Sequence, residues 1–372
     1  MTNRTLADLE ASLLDPASTG ADVPPPDAVA RCKELAAGHH ALQRQQEPGD
    51  RPLRAYLLMD TWEDSSLAAA LSEAWPEAAA AHEAVPDDFY AGRAGEAPCL
   101  VPLPADVLFD ADPDNLAQVR TREALALWLQ EASKQASQRL VRQHLCAVLF
   151  SRESAARVAQ HLALLGLQYA PGSRTARLFR YQDPRVMQRV WPTLSAAQQG
   201  TWLGGVEAWW SLAQPWGPID DLAATTDDAV STPMWFKAQR HTAPDQPTEA
   251  PLLNRLMDVK QWQTAHSSPV GNRVWARFAQ RGISSQVQPD ATSMTRLLNK
   301  GQEAGLADSN LQDFIWCGWQ PMLQNIQSGV IGNPIDWDDP HWSNVLARVQ
   351  QALRDDPDAG FASLFEEHKQ FA

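Results

Sequence analysis

Arg177-Leu178-Phe179-Arg180-Tyr181-Gln182-Asp183-Pro184-Arg185-Val186 reads as a short strand, an Asp-Pro turn and the start of a helix. Leu178 and Arg180 alternate with Phe179 and Tyr181, which is the two-residue period of a half-buried strand. Asp183 is a favoured helix N-cap, and Pro184 takes the first helical position, where a missing N–H does no harm. Arg180, Arg185 and Asp183 bring opposite charges to one strand-to-helix corner, where a charge-assisted pair would fix the geometry.

The same alternation of strand and helix extends upstream. Leu53 to Met59 is a compact apolar strand ending at Asp60, and Ser65 to Ala74 is helical. Phe89-Tyr90 lies in a turn-rich stretch, and Ala97 to Leu103 is a second strand. A long amphipathic helix follows from Asp114 to Ser137. Leu145 to Phe150 is a third strand, and Ala155 to Leu165 is a helix carrying His161. Strands interleaved with helices predict a small sheet covered by helices, an α/β domain with short and mostly buried strands.

Downstream, Ser195 to Ala213 has helical spacing with an interruption at Gly204-Gly205. Trp202, Trp209 and Trp216 are seven residues apart and would share one face of a continuing helix, with Trp210 turned about 100° from Trp209. Residues 216–250 are rich in Pro, Thr and Asp and read as an irregular or hairpin connector. Beyond Pro251 only helical spacing is found: Leu252 to Ala265, Asn272 to Gln280, Ser293 to Ala304, Leu311 to Ile326 and His341 to Leu353, punctuated by Gly301, Gly305, Gly318 and Gly332. The N-terminal 1–50 reads as a helical arm and linker. It has a short helix near Leu6 to Leu14, a Pro24-Pro25-Pro26 stretch, and a second helix over Ala28 to Gln45 with His39-His40 on its solvated side. The expected organisation is therefore an arm (1–50), an α/β domain (51–215), a connector (216–250) and an all-α C-terminal lobe (251–372).

The 372 residues carry a formal charge of −14, so an extended nucleic-acid surface would have to be built against the overall field. Cys32, Cys99, Cys146 and Cys317 have no paired spacing and sit in apolar segments. They read as buried free thiols in a reducing compartment. Met1 to Leu14 is acidic and lacks an apolar h-region, unlike a signal peptide. The longest apolar run, Leu145 to Phe150, is far short of the roughly 20 residues of a membrane span. These features predict a cytoplasmic protein. The fifteen tryptophans serve first as core anchors, and those between Trp202 and Trp216 are candidates for an apolar partner surface.

Motifs with chemistry are sparse. Asp110, Asp112 and Asp114 imitate a calcium loop, but Asn115 stands in the glycine position and Thr121 in the final glutamate position. Asp339-Pro340 within Asp336 to His341 reads as an N-cap followed by the first helical residue. No phosphate-binding loop, nucleophile elbow or zinc-protease helix is present. Ser151, His161 and Asp183 could be assembled into a hydrolytic triad only by a fold that brings them together.

The corner resembles the Phe-Arg-aromatic-x-Asp-Pro-Arg-Val signature of the type VI secretion effector-chaperone (adaptor) family, matched here by Phe179, Arg180, Tyr181, Asp183, Pro184, Arg185 and Val186. Gln182 replaces a frequent aromatic. Tyr56 to Asp60 resembles the family's opening strand, and Ala97 to Val101 its Ala-Pro-aromatic-Leu-Val strand with Cys99 in the aromatic place. Phe150-Ser151 with Gln160-His161-Leu162 resembles two further elements, with Ala163 where arginine is usual. The likeness covers about residues 53–212. A looser one over 290–345 rests on Gly305-Leu306, Phe314 and Gly318.

The resemblance implies a non-enzymatic cytoplasmic adaptor without a cofactor. Such a protein binds a secreted effector and hands it to the C-terminal region of a VgrG spike protein, with no nucleic acid and no membrane insertion involved. Trp202, Trp209, Trp210, Trp216, His161, Arg180, Tyr181 and Arg185 are the candidate contacts, and Asp183 and Pro184 hold the corner. An immunity-type protein that neutralises a toxin, and a hydrolase using His161 with Ser151 or Asp183, are the alternatives.

Overall fold

The computed structural model describes residues 26–45, 49–60, 62–104, 116–137, 143–212, 235–239, 251–284, 287–327 and 333–371. The chain divides into two compact units. One holds the described residues up to 212 together with 235–263, and the other those from 264 onward.

The first unit is built on a six-stranded sheet: β1 (Arg54–Met59), β2 (Glu83–Ala84), β3 (Cys99–Leu103), β4 (Leu145–Ser151), β7 (Val206–Leu212) and β8 (Trp235–Gln239). Their order is β2-β3-β1-β4-β7-β8 and every ladder is antiparallel. β5 (Leu167–Tyr169) and β6 (Ala176–Leu178) form a separate hairpin. β8 falls inside the stretch read as a connector, and it pairs with β7 from Leu212↔Trp235 to Ala208↔Gln239.

Both faces of the sheet are covered, which explains why β1 and β4 read as unbroken apolar runs. On one face Ala55, Leu57, Met59, Val148, Phe150, Trp210 and Leu212 meet α1 (Pro26–Gln43), α2 (Ser66–Ala74) and α4 (Leu116–Ser137). The short α3 (Pro76–Ala80) follows α2. Trp128 Nε1 donates to Leu67 O at 3.0 Å and ties α4 to α2. The other face is closed by α5 (Ala155–Gly166), α6 (Pro184–Val190) and α7 (Ala196–Leu203), with Val158, Leu162, Val186, Met187 and Trp202 all buried. Ser65 caps α2 and Ser154 caps α5, each accepting from an N–H three residues on.

Two sequence readings change here. Ser195 to Ala213 is not one helix: α7 stops at Leu203, Gly204 turns with φ +55°, and the chain continues as β7. Trp202 is therefore helical, while Trp209 and Trp210 point to opposite faces of a strand. Trp216 lies outside the described residues, as do the Leu6 to Leu14 helix and the Asp110 to Asp114 loop. His39 is not solvated. It is 2% exposed and its ring lies 6.0 Å from that of Phe150, because its face of α1 is the one laid on the sheet.

Close approach of α1 to the sheet depends on Gly38. An added Cβ there would lie 2.3 Å from Trp210 Cη2. Alanine would gain about 1 kcal/mol of helix propensity but overpack the ring by about 1–3 kcal/mol. Gly38→Ala should therefore melt at a lower temperature than the parent protein. A stabilised variant would show that α1 stands off the sheet.

The second unit is helical, and no strand occurs among its described residues. α8 (Val259–Gln280), whose residues from Thr264 on belong to this unit, is one helix where the sequence suggested two. Pro269 removes one N–H without breaking the helix, and Ser268 Oγ donates to Thr264 O at 2.7 Å one turn back. α9 (Ala291–Glu303), α10 (Asp308–Gln327), α11 (Pro340–Asp355) and α12 (Phe361–His368) complete it. Phe314, Trp337, Phe361 and Phe365 pack at its centre, stacked in the Phe314–Trp337 and Phe361–Phe365 pairs and edge-to-face between Trp337 and Phe365. Gly301 and Gly318 lie within helices rather than ending them, and a Cβ there would lie 2.3 Å from Leu311 Cδ1 and 2.7 Å from Trp337 Nε1. Asp339 caps α11 by accepting from His341 N, as its sequence suggested.

Candidate functional site

The strand-to-helix corner is the most strongly specified locality of the first unit. β6 ends at Leu178, after which Phe179 N donates to Gly166 O at 2.7 Å. Tyr181 N then turns back onto Phe179 O at 2.9 Å, and Asp183 N onto Arg180 O at 3.1 Å. This tight path sends Phe179 and Tyr181 inward and leaves Arg180 outside. Asp183 caps α6, accepting from Arg185 N at 3.0 Å. Its carboxylate also takes a two-pronged pair from Arg185, with Nε on Oδ1 at 3.0 Å and Nη2 on Oδ2 at 2.9 Å. Burial alone would raise the Asp183 pKa. The Arg185 charge and hydrogen bonds, with Arg180 beyond, outweigh it and hold the group below the usual aspartate range.

Arg180 reaches a different carboxylate. Its Nη2 lies 3.5 Å from Asp60 Oδ2, and Asp60 is 2% exposed at the end of β1, where its N–H donates to His144 O at 2.8 Å. The corner thus clasps the end of the central strand as well as starting a helix. Asp60 as partner of Arg180 was missed in sequence, since 120 positions separate the two and no local pattern links them.

Behind the corner lies an aromatic cluster. Phe179 and Trp202 ring centroids are 5.3 Å apart, Trp191 and Trp202 6.1 Å, Tyr181 and Trp209 6.2 Å, and Trp202 and Trp209 6.5 Å. All the pairs are edge-to-face, the geometry aromatic quadrupoles favour. Tyr181, Trp202 and Trp209 therefore present no surface to a partner, and neither does Trp210, which sits under α1 with Lys237 Nζ 4.2 Å from its ring centre. These four are corrected from candidate contacts to core.

His161 is half-buried. Its Nε2 donates to Trp202 O at 2.7 Å, tying α5 to the end of α7. Burial lowers its pKa, opposed by that hydrogen bond. An added Cβ on Gly204 would lie 2.3 Å from the His161 ring, so the glycine serves both the positive φ and the contact. Ser151 Oγ donates to Gly205 O at 2.7 Å. Ser151, His161 and Asp183 are thus each bound to a different group. Of the named candidates the structure brings Arg180, Tyr181, Asp183, Pro184 and Arg185 together at the corner. Arg180 and Arg185 are its outward groups, with side chains 42% and 19% exposed.

The two arginines do different work, and a double-mutant cycle should separate them. Asp183 with Arg185 should couple by about 1–3 kcal/mol, as contacting, hydrogen-bonded residues do. The more exposed Arg180 should couple chiefly to Asp60, and by less than about 1 kcal/mol. Urea melts showing stronger coupling of Asp183 to Arg180 than to Arg185 would contradict this assignment.

Residues 55–201 match the model of a family described as a domain of unknown function, DUF4123. The matched span runs from the second residue of β1 into α7 and includes Asp60, His161 and the whole corner. No curated protein and no solved structure shows a significant match to the chain.

Proposed function

We propose that this protein is a non-enzymatic adaptor of a type VI secretion system, which binds a cognate effector in the cytoplasm and helps load it onto the VgrG spike. The observation that carries this reading is the DUF4123 match over residues 55–201, in a family associated with such adaptors. The Phe179 to Val186 signature lies inside that span and forms a corner tied by the Asp183–Arg185 pair and the Arg180–Asp60 contact. Its buried residues act by holding the domain in shape, and partner contact falls to side chains on its outside. Among the described residues no helix is long and apolar enough to cross a membrane. An adaptor must also release its cargo, which requires reversible rather than maximal affinity.

The test is co-purification of the tagged chain with the effector and spike protein encoded beside it, followed by secretion assays in a strain lacking the chain. The adaptor reading expects capture through a targeting segment of the effector and lost secretion with effector synthesis unchanged. Capture of the toxic domain with neutralised toxicity would instead identify an immunity protein.

A further inference from the structure

An open groove of about 430 Å³ lies in the first unit where β1 begins, beside the end of β3 and the first residue of α5. Arg54, Tyr56, Pro102 and Ala155 are among the residues that line it. Tyr56 lies opposite Pro102 in the β1–β3 register, and Arg54 shares the face of Tyr56 by the two-residue period of a strand. Ala55 and Leu103 turn into the core of the other face. Tyr56 Oη donates to Glu153 O at 2.8 Å, which fixes the segment leading into α5 against the sheet.

The groove holds one unneutralised charge. Arg54 is exposed and has no ion pair among the described residues. The carboxylates at this end of the sheet belong to other arginines: Glu153 to Arg51 at 2.9 Å and Arg157 at 3.4 Å, and Glu207 to Arg152 at 2.8 Å. Burial pushes the Tyr56 phenol up, and the Arg54 guanidinium beside it pulls the other way. The sheet edge here offers little to an added strand. Val85 N donates to Pro98 O at 2.8 Å, Glu83 pairs with Leu100, and β2 starts there. By alternation the next outward-facing position is 102, where a proline has no N–H, and Pro104 lacks one too.

We infer that this groove receives the free C-terminal end of a partner protein, with the terminal carboxylate on Arg54 and an apolar last side chain between Pro102, Tyr56 and Ala155. The inference rests on the adaptor reading for the proteins that could supply that end. A chain end brings one carboxylate next to one apolar residue, which matches a single free guanidinium among apolar walls. An acidic segment would bring several charges toward a chain of net charge −14 and be repelled. An internal segment would have to run on along β3 without the main-chain donors that strand addition uses.

The experiment titrates the full-length chain with fluorescein-labelled peptides copying the last residues of the spike protein and of the effector encoded beside it, each as free acid and as amide. A peptide that binds should end in an apolar residue, and amidation should weaken it roughly tenfold or more, the worth of a charge-assisted hydrogen bond. Arg54→Ala should weaken the free acid as much and leave the amide unaffected, a pattern that a merely structural arginine would not give. Ala155→Phe should fill the groove and weaken acid and amide alike. Both variants should keep the parent Tm. Acid and amide binding equally, no peptide binding the parent, or either variant binding the acid as the parent does would overturn the assignment. So would hexanoate binding as tightly as the peptide, which would make the ligand a small acid. Capture of the intact spike protein and effector by parent and Arg54→Ala chains completes the test. If capture is equal, the groove falls and the adaptor reading stands. If the parent captures neither, both fall.

Discussion

Replacing Trp202 with alanine is expected to destabilise the first unit by about 4 kcal/mol, as for other buried aromatic truncations. At about 2–4 °C per kcal/mol for a unit of this size, Tm should fall by roughly 8–16 °C. Trp202 is 0% exposed, touches Phe179, Trp191 and Trp209, and offers its carbonyl to His161. Its removal would open a cavity at the junction of α5, α7 and β7. Trp202→Phe should cost much less, since a ring still fills most of the space. Urea denaturation followed by circular dichroism decides the matter. A loss below about 1 kcal/mol would show that the cluster is not a packed core.

Asp183→Ala should cost about 3 kcal/mol, roughly 1 from the lost cap and 2 from leaving Arg185 partly buried without its carboxylate. The full penalty of a deeply buried pair is not reached, because Arg185 keeps 19% of its side chain in water. The effect depends on pH in a defined direction. The folded-state pKa of Asp183 is depressed, so its contribution is complete above the ordinary aspartate range and is lost as pH falls through the lower folded value. The gap between parent and variant should therefore be constant at neutral pH and narrow below about pH 4. A gap that stays unchanged down to pH 2 would mean that the carboxylate's charge contributes nothing to the corner.

Much of this architecture is legible in the sequence. The apolar runs at Ala55 to Met59 and Leu145 to Phe150 mark strands because both sheet faces are covered, and Asp183-Pro184 announces a helix start. β7 defeated the same reading. Val206 to Leu212 is almost wholly buried, so it lacks alternation, and the spacing of Trp202, Trp209 and Trp216 imitates a helical stripe. The signal that could have corrected it was Gly204-Gly205, a helix stop by its own chemistry. His39 was misplaced because a polar side chain on a helix suggests water, and only the tertiary contact shows that its face lies on the sheet. Of the site, the Asp183–Arg185 pair was readable from adjacency. The clasp from Arg180 to Asp60 was not, since only the folded sheet brings those positions together.

The four cysteines have a practical consequence. All are buried as free thiols, and burial pushes Cys32, Cys99 and Cys317 up to about 12. Thiolate is the reactive form, so a native molecule should resist alkylating reagents both by inaccessibility and by protonation. Cys32, Cys99 and Cys146 belong to the first unit and Cys317 to the second. Each unit thus carries a chemical clock that starts only when that unit opens. The rates at which these thiols are modified would report the opening free energy of the two units separately, in one tube and without an added label.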